Sequence, residues 1–275
     1  VTSDPTGQLP GVWLVYNEIR PRSIEPSVTS YSSAGSGRVG QSLTYVIRSI
    51  DDGQTWSNPV AVDPNLRGHQ FFPDIDALSG RLGVVWQDNR TDPFYSVQFP
   101  IGNVLIPGLN RAFSSAYFAT PYGNIVNSFF AGLTSANTMG FTFGTSEKVS
   151  TKGHQSQYEM FGSRQTPFHG DYNWIQMATL PPELNLGTVY AYMTWTDNRD
   201  VVPGVDPRET QSDPNPGFID GFDVQQCRTD LGTVAQGLGS ADIPLARRDA
   251  PFTGDTCGNA GGLDQNIYGA GKLIP

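Results

Sequence analysis

Apolar and polar positions alternate in short runs along the chain, and clusters of Gly, Pro, Asp and Ser separate these runs. The runs are rich in β-branched and aromatic residues, which favours strands. The longest stretch without Gly or Pro covers only residues 188–202. A helix remains an alternative only for residues 109–120. The pattern therefore predicts an all-β protein, with strands in residues 11–18, 42–49, 82–87, 94–99, 171–179, 188–195 and 222–226.

One five-residue pattern recurs at the ends of these strands. Trp-x-Asp-Asn-Arg covers 86–90 and 195–199, and a weaker copy, with Tyr and Glu in place of Trp and Asp, covers 16–20. Repeat units of about 40–60 residues that each form a small antiparallel sheet are typical of a β-propeller. We expect one propeller domain over residues 1–275, with about five or six four-stranded blades. The repeated residues are Trp86, Asp88, Trp195 and Asp197.

Composition narrows the classes of function. Only 16% of the residues are charged, against about 25% in an ordinary soluble domain, and Gly (31) and Pro (21) are abundant. The 20 Asp residues outnumber the 6 Glu residues, as expected for a chain built from turns. The net charge of −9 argues against a nucleic-acid partner, because phosphate binding needs a basic surface. No apolar run of 18 residues is present, so no membrane-spanning helix is expected.

The two cysteines, Cys227 and Cys257, leave two interpretations open. They are either buried thiols or a disulfide formed in an oxidising compartment, and their loop-like surroundings of Gly, Asp and Pro favour the disulfide. The chain begins at Val1 rather than Met, as expected after removal of a leader or trimming of the chain. Both features favour a secreted or cell-surface location.

Residues 49–56 fit the eight-residue pattern Ser-x-Asp-x-Gly-x-Thr-Trp. In such a hairpin turn the Asp accepts backbone N–H bonds, the Gly adopts a positive φ and the Trp folds back as a hydrophobic plug. Degenerate copies cover residues 140–143 and 227–232, and residues 263–268 are expected to form one more outer strand. The positions at which the pattern specifies a residue are Ser49, Asp51, Gly53, Thr55 and Trp56.

This pattern is the Asp-box, or BNR repeat, and together with Trp-x-Asp-Asn-Arg it resembles secreted bacterial sialidase-like propellers over most of residues 10–232. The resemblance implies a structural Asp-box at the blade periphery. It also implies an exo-α-sialidase type of glycoside hydrolase, in which three arginines hold the substrate carboxylate and a Tyr nucleophile pairs with a Glu. The candidates for these roles are Arg20, Arg90, Arg199, Tyr172 and Glu159.

The three arginines have an alternative role. Each follows an acidic residue by two positions, so each can pair with its own acid as a latch between blades; the acids are Glu18, Asp88 and Asp197. Residues 19–22 also read Ile-Arg-Pro-Arg where the family carries Arg-Ile-Pro. Two functions therefore stay open. One is a sialidase-type hydrolase, and the other is a non-catalytic propeller that binds a glycan or glycoprotein or assembles with itself at a surface.

The segment 197–223 is rich in acids, and hard oxygen ligands in loops suit Ca²⁺. The alternative is a solvated loop with Asx turns. The scattered histidines do not indicate a zinc site, and no cofactor is required by the expected chemistry. The candidate Ca²⁺ ligands are Asp197, Asp200 and Asp206.

Overall fold

The computed structural model describes residues 1–28, 33–65, 67–92, 95–98, 125–155, 159–161, 166–168, 172–179, 188–197 and 266–274. The regular structure of these residues consists of β-strands, which confirms the predicted all-β class, and one 3-10 turn covers Pro21–Ser23. No helix among them is long and apolar enough to cross a membrane. The strands are β1 (Thr2–Ser3), β2 (Val12–Ile19), β3 (Glu25–Pro26), β4 (Arg38–Val39), β5 (Ser42–Ser49), β6 (Val60–Ala61), β7 (Gln70–Leu78), β8 (Arg81–Asp88), β9 (Ile125–Asn137), β10 (Gly140–Phe143), β11 (Glu147–Lys148), β12 (His154–Gln155), β13 (Glu159–Phe161), β14 (Thr166–Phe168), β15 (Asn173–Thr179), β16 (Val189–Asp197) and β17 (Asn266–Ile274).

Three antiparallel sheets follow one another along the chain. The first has the order β1-β2-β5-β6, the second β7-β8-β9-β10 and the third β15-β16-β17. In the second sheet β11 and β12 also pair with β9, while β3-β4 and β13-β14 form separate two-stranded sheets. In each large sheet the strands lie in chain order, although β3 and β4 come between β2 and β5 in the sequence. A tight turn at Ser79–Gly80, with φ values of 52° and 78°, joins β7 to β8. The described residues do not form a closed ring of sheets.

The second sheet lies between the other two. Trp13 and Val46 of the first sheet pack with Val84 and Trp86 of the second in one apolar cluster. Val85 and Phe130 point to the opposite face and join a second cluster. That cluster also contains Ile175, Met177, Val189, Ala191, Met193 and Trp195 of the third sheet. The unbroken apolar run of β8 follows from this position, since a strand covered on both faces has no polar side.

The two outer sheets each leave an aromatic face away from the second sheet. On the first sheet Tyr16 stacks on Tyr45, with the ring centroids 6.0 Å apart. On the third sheet Trp174 and Tyr192 are exposed on adjacent strands. These two faces have no counterpart on the middle sheet, which is buried on both sides.

One predicted strand is wrong. Residues 95–98 form a turn with a single bridge at Ser96, and the Tyr95 amide donates to the Asp92 carbonyl at 3.2 Å. Tyr95 packs its ring against His69 and beneath the Arg67 guanidinium, at 5.4 and 5.6 Å. The expected outer strand at 263–268 is confirmed for residues 266–268, which begin β17, and the predictions for residues 109–120 and 222–226 lie outside the described residues.

Candidate functional site

The repeated Trp-x-Asp pattern has the same geometry in the second and third sheets. The Trp86 indole donates to the Asp88 carboxylate at 3.4 Å, and the Trp195 indole donates to the Asp197 carboxylate at 3.0 Å. All four side chains are buried. Because Trp and Asp lie two positions apart on one strand, both point to the same face, where the indole can satisfy a carboxylate that burial has removed from water.

Arg90 is held by two carboxylates. Its guanidinium lies 2.5 Å from Asp88 and 2.6 Å from Asp63, and only 12% of its side chain is exposed. Asp63 follows β6 of the first sheet, so the ion pairs join the first sheet to the second. Burial alone would lower the pKa of Arg90, but Asp88 and Asp63 raise it above its ordinary value, so the guanidinium is charged. Arg90 therefore pairs with its neighbouring acid Asp88, as in the latch alternative given above.

Arg20 has different surroundings, although it lies at the corresponding end of β2. Its guanidinium donates to the Gln41 amide oxygen at 3.4 Å, and among the residues that the structure describes it forms no ion pair, including with Glu18. Arg199 lies outside the described residues. The three-arginine carboxylate site therefore stays a prediction.

The Tyr–Glu pair also stays a prediction. Tyr172 precedes β15 and is 72% exposed, on the same side of the third sheet as Trp174. Glu159 begins β13, which pairs with β14 in a separate sheet, and its side chain lies outside the described part.

The Asp-box forms the hairpin expected from its residues. The Asp51 carboxylate accepts hydrogen bonds from the Thr55 amide at 2.8 Å, the Thr55 hydroxyl at 2.5 Å and the Ser49 hydroxyl at 2.8 Å. These bonds, with those from Thr55 the strongest, lower the pKa of Asp51 to about 2. Gly53 has a φ of 85°, which a side chain would strain. The turn is therefore fixed by local hydrogen bonds.

Trp56 is more exposed than the expected hydrophobic plug. The ring folds back toward Gly53, but 40% of the residue remains exposed, so it is not a buried plug. It lines a cavity of about 370 Å³ between the Asp-box and the β9–β10 hairpin. In that second hairpin the Asn137 side chain accepts hydrogen bonds from the Met139 and Gly140 amides at 2.8 and 3.1 Å. The degenerate copy at 140–143 thus occupies the corresponding place in the second sheet.

Arg48 forms one wall of this cavity. Its Nε donates to the Pro10 carbonyl and its Nη1 to the Asn137 carbonyl, both at 3.0 Å, and the guanidinium lies 4.9 Å from the centre of the Trp13 ring. The cavity lies at the opposite end of the first sheet from Arg20, because Val12 pairs with Ser49 whereas Ile19 pairs with Ser42. A neighbouring cavity of about 620 Å³ shares Val60 as a wall and reaches Arg90.

Asp197 is buried at the end of β16. Besides the Trp195 indole, the His154 imidazole approaches its carboxylate, with Nδ1 3.5 Å from Oδ2. In the part of the chain that the structure describes, no group of three or more His, Cys, Asp or Glu side chains could hold a metal ion. Asp200 and Asp206 lie outside that part, as do Cys227 and Cys257, so the Ca²⁺ site and the disulfide remain predictions.

The sequence did not single out Asp63, Arg48 or His69. Asp63 has no motif of its own, and its role depends on contact with a distant strand. Arg48 directly precedes the Asp-box, and alternation along β5 places it on the same face of the sheet as Trp13. A basic residue beside the motif was the one signal of its role in the sequence. His69 is buried, and its Nδ1 accepts a hydrogen bond from the Ser42 amide at 3.0 Å.

The chain was compared with models of protein families, with curated proteins and with solved structures. None of the three comparisons found a match. The sialidase-like assignment is therefore a proposal that rests on the motifs and on the arrangement of the sheets.

Proposed function

We propose that the chain is a secreted sialidase-like β-propeller that binds carbohydrate without hydrolysing it. The observation that carries the proposal is the state of Arg90, which is one of the three arginines that a sialidase would need. Two protein carboxylates already hold it, so it serves the fold rather than a substrate.

The stacking of the sheets supports the propeller. The strands at the leading edges of the three sheets are joined by side chains: Thr2 donates to Asp76, and the amides of Ile175 and Met177 donate to Asp74 and Asp76 at 2.9 and 2.7 Å. Leading strands that meet in this way are expected around a propeller axis. The aromatic faces of the first and third sheets would then be covered by further blades, because exposed aromatic side chains on a sheet face favour burial against a neighbour.

The hydrogen bonds of Arg90 argue against hydrolysis by the three-arginine mechanism. Its Nε and Nη2 donate to Asp88 at 2.8 and 2.5 Å, and its Nη1 donates to Asp63 at 2.6 Å and to Ser146 at 3.2 Å. A substrate carboxylate would have to displace two carboxylates from this guanidinium, and one of them, Asp88, is fully buried. Breaking such a pair leaves an uncompensated buried charge, which costs about 3–5 kcal/mol.

Carbohydrate is the ligand that the resemblance and the surface chemistry favour together. Partly exposed aromatic rings beside amide and hydroxyl groups suit sugar rings, which present apolar C–H faces and polar edges. Trp56 provides such a ring next to Ser57 and Asn58. We therefore propose a glycan or a glycoprotein as the partner.

Self-assembly at a surface is the second candidate function. The exposed side chains of Trp174, Tyr192 and Leu273 on the outer face of the third sheet favour it. If this face joins copies of the chain, the purified protein will sediment as a concentration-dependent oligomer rather than as a monomer.

The proposed function is tested by separating binding from release. Purified protein is incubated with an immobilised sialylated glycoprotein and with its desialylated form, and free sialic acid is measured in the supernatant beside a sialidase as the positive control. We expect retention on at least one form and no release above the no-protein blank. Release at an enzymatic rate overturns the binding-only proposal, and absence of retention on both forms overturns the carbohydrate proposal.

A further inference from the structure

The cavity at the Asp-box has walls from two sheets. Arg48, Ile50 and Trp56 come from the first sheet and its hairpin, and Asn137 and Met139 come from the tip of the β9–β10 hairpin. This placement makes the cavity a cleft between two rigid turns, each fixed by its own side-chain hydrogen bonds. Such a cleft is preformed, which lowers the entropic cost of binding.

Arg48 brings a positive charge to this cleft without a carboxylate partner. Among the described residues no Asp or Glu pairs with it, and its Nη2 has no hydrogen-bond partner. The two backbone carbonyls that accept from Nε and Nη1 fix the direction of the guanidinium. Burial lowers the pKa of Arg48, because the charged form has lost part of its water. An anion in the cleft would supply the missing counter-charge.

The remaining walls suit a sugar ring rather than a bare ion. Trp56 presents part of an indole ring to the cleft, and the exposed Ile50 and Met139 extend its apolar surface. Asn58 adds an amide that can donate to and accept from hydroxyl groups. An apolar platform, an amide and a lone cation in one cleft together match a pyranose that carries a carboxylate.

We propose that this cleft binds an acidic saccharide, with the sugar carboxylate on Arg48 and the face of the pyranose ring on Trp56. This inference rests on the proposed carbohydrate-binding function and names its site and ligand class. The cleft lies at the other end of the first sheet from Arg20, and neither Arg20 nor Arg90 lines it. Uronates and sialates share the required chemistry, so the experiment includes both.

The test measures the dissociation constants of the full chain for four polymers by isothermal titration calorimetry: polygalacturonate, polysialate, neutral dextran and polyglutamate. The variants are Trp56→Ala and Arg48→Met. Their controls are Val28→Ala, an exposed apolar residue that does not line the cleft, and Arg22→Met, an exposed arginine on the 3-10 turn. Circular dichroism and thermal unfolding report the folding of every variant.

We expect the wild-type chain to bind polygalacturonate or polysialate more tightly than dextran. Arg48→Met should weaken that binding about tenfold or more, because it removes a charge-assisted hydrogen bond. Trp56→Ala, which removes only a partly exposed ring, should weaken it about tenfold and keeps the test decisive if Arg48→Met does not fold. The two control variants should bind as the wild type does.

Three results would overturn the inference. Unchanged affinity of folded Trp56→Ala for the acidic saccharides removes the cleft as their site and leaves the carbohydrate function standing. Polyglutamate binding as tight as that of the saccharides, lost in the same variants, identifies an acidic peptide as the ligand instead. Absence of wild-type binding to all three saccharides contradicts the carbohydrate function itself as well as the cleft.

Discussion

Asp4 joins the first two sheets through hydrogen bonds to the turn that connects β7 and β8. Its Oδ1 accepts from the Thr6 and Ser79 amides at 2.9 and 3.0 Å and from the Thr6 hydroxyl at 2.7 Å. Its Oδ2 accepts from the Leu9 and Gly80 amides at 2.9 and 2.7 Å. Only 8% of the Asp4 residue is exposed, and the bond from the Leu9 amide is fully buried. Asp4→Asn is therefore expected to destabilise the contact between the two sheets.

The magnitude follows from the pKa of Asp4. Burial raises this pKa, but the hydrogen bonds from Gly80, Thr6 and Leu9 outweigh burial and lower it from 3.8 to about 2. A carboxyl group whose pKa is lower in the folded state stabilises that state above pH 4, and this contribution is lost as the pH falls toward 2. The difference corresponds to about 2 kcal/mol at pH 7.

Asp4→Asn should lower the free energy of unfolding at pH 7 by about 2 kcal/mol, because the amide nitrogen would face two donors in place of an acceptor. The melting temperature should fall by roughly 4–8 °C. The assay is urea unfolding of both proteins at pH 7, 5 and 3, where the difference between them should shrink as the pH falls. Asp52→Asn, at an exposed position with a φ of 57° that Asn tolerates, is the control and should unfold like the wild type.

A difference below about 0.5 kcal/mol at pH 7 would refute this reasoning, since it lies within the range of ordinary surface substitutions. A difference that stays constant between pH 7 and pH 3 would also contradict it. In that case the lost stability would come from packing rather than from the ionised carboxylate of Asp4.

Two further predictions concern His69 and Arg90. Burial lowers the pKa of His69 to about 4. As the pH falls, the unfolded chain therefore takes up a proton on this residue before the folded chain does, and the free energy of unfolding should decrease by about 3 kcal/mol between pH 6.5 and pH 4. His69→Gln should abolish that part of the pH dependence in urea unfolding, and an unchanged profile would exclude His69 as its source. Arg90→Met leaves Asp63 and Asp88 without their cation and should cost about 3–5 kcal/mol in the same assay, with partial rescue by Asp63→Asn. A loss below about 1 kcal/mol would show that the latch does not hold the sheets together.

Short sequence patterns were sufficient to predict the features whose contacts lie within one turn or one strand. The Asp-box residues lie within one turn, so their hydrogen bonds could be expected from residue types and spacing. The same holds for the Trp–Asp bonds at 86–88 and 195–197, because two residues at that spacing share a face of a strand. The all-β class likewise followed from the short runs and the frequent turns.

Contacts between sheets could not be predicted in this way. The partnership of Arg90 with Asp63 depends on how the first sheet lies on the second, and no spacing along the chain encodes it. The exposure of Trp56 depends on the distance to the β9–β10 hairpin, so the expected plug became a wall of a cleft. The β-branched and aromatic residues at 94–99 predicted a strand, but Tyr95 contacts His69 and Arg67 and residues 97–98 form a turn.

The central claim is that the chain binds carbohydrate and does not cleave it. The most direct measurement is the amount of free sialic acid released from an immobilised sialylated glycoprotein, together with the amount of protein that the same glycoprotein retains. We predict release no higher than the blank, because Arg90 is already held by Asp63 and Asp88, and retention on this glycoprotein or on its desialylated form. Release that grows with time and with protein concentration would contradict the claim.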